Sequence, residues 1–160
     1  MEERILFSSE SVLYEDSTNN TFYYSFYVPE GCKRILIDFS YSPDEMEKGD
    51  LRKEKVKACL NKYMPPPYDK ELLALVWAGA DFSDFPLHNL ITVSIDNEKG
   101  EYIGCAHRHQ SHQVHEISRD RASYGFQPDP INEGLWRIAL QCHAVVTPSV
   151  EVKTIIKGEF

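Results

Sequence analysis

The chain has 160 residues, enough for one domain with a real core, and carries 25 acidic against 17 basic side chains for a net charge of −8. That field repels a nucleic-acid backbone, and no block of Lys and Arg is dense enough to reverse it. No apolar run approaches the ~18 residues of a membrane span, and the N-terminal MEERILFSSE lacks the basic and apolar regions of a secretory signal, so the cytoplasm is the expected setting.

Aromatic residues make up 12% of the chain, which favours strands over helices. Ile5 to Tyr14 reads as a first, weak strand, followed by a turn at Asp16 to Thr21. Phe22, Tyr24, Phe26 and Val28 then alternate with Tyr23, Ser25 and Tyr27, the period of a strand. Pro29-Glu30-Gly31 closes it, and Ile35, Ile37, Phe39 and Tyr41 form the inward face of the next one. The two strands predict either a hairpin or a corner that passes from one sheet to another.

Residues 43–77 change character. Pro43 and the acids after it suit a helix start, and Leu51, Val56, Cys59, Leu60 and Tyr63 recur at helical spacing before Pro65-Pro66-Pro67 stops the run. Leu72 to Trp77 suits either a short helix or a packed loop. This segment is expected as a helical insertion on the sandwich, too short to hold a core of its own. Tyr23 and Tyr27 face outward, where they either meet this insertion or stack on a sugar.

Ile91, Val93 and Ile95 mark another strand, Asp96 to Gly100 a hairpin turn, Tyr102 to His109 the return, and Val114 to Arg119 a further strand. Tyr124 to Val146 follows, a Pro/Gly-punctuated loop feeding one long strand. There Trp136, Ile138, Leu140, Cys142 and Ala144 share one face, and Arg137, Gln141 and His143 the other. Thr147-Pro148 turns the chain into a last strand bearing Val150, Val152, Thr154 and Ile156. About eight antiparallel strands with one helical insertion predict a single mainly β domain over 1–160, a two-sheet β-sandwich or jelly roll.

Four of the six histidines fall between Cys105 and Glu116. His107 and His109 share parity with Ile103 and Cys105, and His115 with Ile117. If these two strands paired, the three imidazoles would meet at one end of the sandwich, a candidate site for a divalent transition metal. Glu116 has the opposite parity, and the spacing departs from the cupin pattern. Arg108, Arg119 and Arg121 add local positive charge and, with the outward His143, form a candidate site for an anionic ligand. Ion pairing with surface carboxylates is the plainer use of those arginines. No G-x-S-x-G elbow and no P-loop is present. Cys32, Cys59, Cys105 and Cys142 are too scattered for a disulfide framework or a cysteine zinc site.

Three segments carry a family resemblance. Phe26 to Gly31 (FYVPEG) followed by the strand Arg34 to Phe39, Ile91 to Gly100 with its hairpin, and Ser123 to Trp136 (SYGFQPDPINEGLW) resemble the N-terminal β-sandwich that precedes some bacterial PHP-type metallophosphoesterase domains. Tyr124 stands where that loop has its first Pro, and Asp129 where it has a Gly. The resemblance implies a jelly-roll accessory domain whose partner is a metal-dependent phosphoesterase. The metal ligands of that family lie in a C-terminal barrel, so no catalytic residue is carried over to this chain, which ends at Phe160 where the barrel would begin. The expected function is a non-catalytic accessory or binding module. A metal-binding jelly-roll enzyme or sensor and a carbohydrate-binding module are the alternatives.

Overall fold

The computed structural model describes residues 2–63, 74, 78–79, 81–106 and 110–160. Eight strands, β1 (Glu3–Leu13), β2 (Asn20–Val28), β3 (Arg34–Ser42), β4 (Leu90–Asp96), β5 (Tyr102–Ala106), β6 (His112–Ser118), β7 (Gly134–Ala144) and β8 (Val150–Glu159), form two antiparallel sheets of four. One has the order β1-β8-β3-β6 and the other β2-β7-β4-β5. Every connection except β4–β5 passes from one sheet to the other, which is jelly-roll topology. The Pro29–Gly31 segment is therefore a sheet-switching corner, and Gly31 takes a φ of +85° to make it.

Alternation puts the apolar side chains between the sheets. Ile35, Ile37 and Phe39 from β3 and Trp136, Ile138 and Leu140 from β7 are fully buried, joined by Ile91, Val93 and Ile95 from β4 and Ile156 from β8. Thr154 of β8 is one of the buried polar side chains among them. It sits opposite Phe39 with its Oγ1 buried and without a hydrogen-bond partner. Thr154→Val keeps the shape and removes the desolvated hydroxyl, so it is expected to stabilise the fold by about 1 kcal/mol, read as a higher urea midpoint at unchanged slope.

Two buried asparagines fasten the loops at the ends of the strands. The Asn89 amide donates to Pro43 O and Thr147 Oγ1, both at 2.8 Å, while its Oδ1 accepts from Val146 N at 2.7 Å. Asn97 builds the predicted hairpin turn: its Oδ1 accepts from the backbone of Lys99 and Glu101, and its amide donates to Glu101.

Glu45–His88 forms a separate compact unit. The helix α1 (Asp50–Tyr63) starts after Gly49, whose φ of +139° makes the bend. Of the apolar residues at helical spacing, Val56 is buried, whereas Leu51, Cys59 and Tyr63 are exposed. Arg52 turns inward in their place. It is 2% exposed, pairs with Glu45 at 2.8 Å and donates to the carbonyls of Glu47 and Phe85, both at 3.2 Å. Met46 N to Leu87 O at 2.9 Å joins the two ends of the unit. The prediction for Leu72 to Trp77 lies outside the described residues, Ala74 excepted. Among the described residues no helix is long and apolar enough to cross a membrane.

Candidate functional site

His107, Arg108 and His109 lie outside the described residues. The described strands on either side of them, β5 and β6, belong to different sheets. The shared parity of Ile103 and Cys105 fails. The register shifts between Ile95 and Asp96, so Cys105 stands opposite Ser94 on the outer face while Ala106 stands opposite Val93 on the inner one. His115 does share the inward face with Ile117, but deep in the sandwich. It is 5% exposed, with Nε2 3.0 Å from Gln113 Oε1 and its ring 4.9 Å from that of Phe126. Among the described residues no group of three or more His, Cys, Asp or Glu side chains is arranged to hold a metal.

Of the predicted anion site, the described members Arg119, Arg121 and His143 lie apart. Arg121 pairs with Glu116 at 2.6 Å, on the outer side of β6. Glu116 also faces Arg34 at 3.6 Å, and Arg34 in turn faces Glu159 at 3.4 Å. Arg119 is exposed on the loop beyond. His143 belongs to the other sheet, where a register shift at Leu90/Ile91 leaves it as the extra residue on β7. The described arginines and this histidine thus act on different faces.

His143 leads to a face where polar side chains are tied together, the outer side of β2-β7-β4-β5. Strand register sets its rows: Thr21, Gln141 and Thr92; then Tyr23, Ala139, Ser94 and Cys105; then Ser25, Arg137, Asp96 and Tyr102. His143 Nε2 lies 3.0 Å from Thr92 Oγ1, Thr92 Oγ1 donates to Gln141 Oε1 at 2.9 Å, and Gln141 Nε2 donates to Ser94 Oγ at 2.8 Å. Thr92 commits its only proton to Gln141, so Nε2 of His143 must be the donor to Thr92. An imidazole in that tautomer cannot act as the base for Thr92, and the pair is a hydrogen-bonded chain rather than an activated nucleophile.

In the neighbouring row Arg137 Nε donates to Asp96 Oδ2 at 2.8 Å, and its guanidinium lies 5.0 Å above the Tyr23 ring. Tyr23 is nonetheless 61% exposed, and Tyr102 at the opposite margin 58%. Tyr27, further along β2, donates to Glu133, and that hydrogen bond holds its phenol above the usual range. Burial raises the Tyr102 phenol, with the neighbouring Cys105 and Asp96 adding to it.

All four cysteines are thiols rather than disulfides. Burial raises Cys32, Cys105 and Cys142 above the ordinary thiol range, Cys142 to about 11, whereas Cys59 is exposed on α1. A thiol-reactive disulfide reagent at pH 8 is expected to modify Cys59 rapidly and the other three only after denaturant is added. A folded-state value above the unfolded one means that this contribution to stability is complete below about pH 9 and is lost as pH rises towards about 11.

No family model matches the chain, and no curated protein matches it in sequence. Half of the outer face was visible in the sequence as the polar parity of Arg137, Gln141 and His143. Thr92, Ser94, Asp96 and Tyr102 alternate with apolar neighbours in the same way, but carry no motif that singles them out.

Proposed function

We propose that this chain is a non-catalytic binding module whose ligand lies on the outer face of β2-β7-β4-β5. One observation carries the reading: the chain from His143 through Thr92 and Gln141 to Ser94 lies on the same face as the solvent-facing rings of Tyr23 and Tyr102. Buried polar groups held by one another have fixed orientations, and fixed orientations give a ligand specificity. The proton on Thr92 is committed to Gln141, which favours binding over nucleophilic catalysis. The likeness of Phe26 to Gly31 and Ser123 to Trp136 to the sandwich preceding PHP-type domains supports an accessory role beside a metal-dependent phosphoesterase. Buried thiols suit a reducing cytoplasmic setting.

The test has two arms on the purified chain. Phosphoesterase assays with added Mn²⁺ or Zn²⁺ are expected to give no turnover, and turnover abolished by His115→Ala would overturn the reading. Amide chemical-shift mapping with a mixed small-molecule library is expected to move resonances of Tyr23, Ser94, Arg137 and Gln141 together. A library that leaves all four unmoved would also overturn it.

A further inference from the structure

We infer that a second copy of this chain docks along the free edge of β2, pairing antiparallel with the same strand across a two-fold axis. The inference stands apart from the binding-module reading above. Each sheet has two edge strands, and β2 is the one left unguarded. β5 and β6 are bridged by the segment after β6, through Cys105 N to Gly125 O at 3.0 Å and Ser123 N to Glu116 O at 2.9 Å. β1 carries Glu3, Arg4 and Glu10 and shifts register between Ile5 and Phe7; charge and a bulge both discourage pairing. β2 has neither. Its nine residues, Asn20–Val28, include no charge and no proline, and they run in continuous register with β7. Among the described residues no strand lies along its other side. An uncharged, aromatic edge of this kind is a template for another strand.

The core is open at the same place. Phe22 and Tyr24 point inward opposite Leu140 and Ile138, but those β7 residues are fully buried while the two rings on β2 are half-buried. Phe7 of β1, also half-buried, lies 5.5 Å from the Tyr24 ring. On the β5–β6 side, Phe126 of the bridging segment is buried in the core cluster. A strand added beside β2 takes the half-buried rings further from water.

Self-complementarity selects the partner. The net charge of −8 sets two copies against each other, but along β2 no like charges come opposite. In a two-fold antiparallel pair the outward residues Thr21, Tyr23, Ser25 and Tyr27 meet residues of the same set, and Phe22, Tyr24 and Phe26 meet theirs. Aromatic cross-strand pairs then stabilise the contact, which closes at two copies. The strand is about 30 Å long and two sheets with their outer side chains are about 20 Å thick, so an edge-on contact covers about 600 Å² per copy. That area is at the lower end for specific interfaces, so the expected dimer is weak.

Sedimentation equilibrium on the whole chain from about 1 to 500 µM reads the association. A monomer–dimer equilibrium is expected, with the dimer dominant above about 100 µM. Thr21→Lys and Ser25→Lys bring like charges together across the axis, and each is expected to weaken the dimer about tenfold or more. Ser8→Lys on β1 and Val114→Lys on β6 are controls expected to leave it unchanged. Amide hydrogen exchange on the unmodified chain gives a second reading: every other amide of β2 is expected to slow as concentration rises. Melting temperature checks that the variants fold, and the exchange measurement carries the test if they do not. A monomer throughout with β2 exchange independent of concentration would overturn the inference, as would a dimer that survives both β2 lysines or is broken by a control. Open-ended growth would overturn it too, because β2 would then be pairing with a different edge of the next copy.

Discussion

Replacing Trp136 with alanine is expected to remove about 3–5 kcal/mol of stability, a large part of what holds a domain of this size together. Trp136 is 0% exposed, stands opposite Phe26 on β2, and belongs to the core cluster that fills the space between the sheets. Its Nε1 donates to Asn132 O at 3.0 Å and so ties the loop before β7 to the core. Alanine leaves a cavity in that cluster and an unpaired carbonyl at the loop. Trp136→Phe keeps much of the volume and loses the N–H, so about 1–2 kcal/mol is expected for it, most of it from the lost hydrogen bond. Urea titrations followed by far-ultraviolet circular dichroism separate the two variants. A midpoint for Trp136→Ala within error of the parent would mean that the two sheets do not close on this side chain.

The second large effect is expected at a pair of glycines. Gly104 on β5 has a φ of +147°, and a Cβ there would lie 2.3 Å from Gly125 O and 2.6 Å from Phe126 Cα. Gly125 has a φ of +95°, and its Cβ would lie 2.5 Å from Cys105 O. The two backbones touch because neither residue has a side chain, and hydrogen bonds fasten the contact: Cys105 N to Gly125 O at 3.0 Å and Gln127 N to Ile103 O at 2.8 Å. Backbone atoms cannot swing aside as a side chain would. Gly104→Ala is therefore expected to cost about 3 kcal/mol or more, from the Gly-only backbone region and the clash together. Gly100→Ala is the control. It also has a positive φ, +78°, but nothing within 4 Å, and about 1 kcal/mol is expected. Amide hydrogen exchange should locate the damage: faster exchange at Cys105 and Gln127 in Gly104→Ala, and parent-like exchange there in Gly100→Ala. Equal losses in the two variants would show that the close approach is not what holds this loop.

The same contact explains how the sandwich shuts on one side. β5 and β6 are the neighbouring edges of different sheets. The segment after β6 bridges them, with Ser123 N donating to Glu116 O at 2.9 Å on one side and Gly125 O accepting from Cys105 on the other. An open edge is thereby covered by the chain itself. Phe126 drops into the opening and meets the ring of His115. A histidine that reads as a metal ligand in the sequence is thus held as a wall of the core. The candidate metal site depended on a β5–β6 hairpin, and the polar turn after His109 is equally compatible with a hairpin and with a crossing between sheets. Only the path of the chain distinguishes them.

Alternation along β3, β4, β7 and β8 was enough to determine the strands, their inward faces and the two-layer architecture. Side chains that must leave water every second residue allow little else. The turns at Pro29–Gly31 and Asn97–Gly100 were likewise legible as turns, since each needs backbone angles that few residues adopt, although the first read equally as a hairpin or as a corner between sheets. Tertiary structure alone decided three things. The bulge in β5 reversed the facing of Cys105, because one extra residue shifts every later side chain to the opposite side. Arg52 went inward on α1 ahead of Leu51 because a carboxylate and two carbonyls from outside the helix converge on it. The proposed binding face arose because register set Thr92 beside Gln141 and Arg137 beside Asp96, neighbours about 40 or more residues apart in the chain that only strand pairing at about 5 Å can bring within reach.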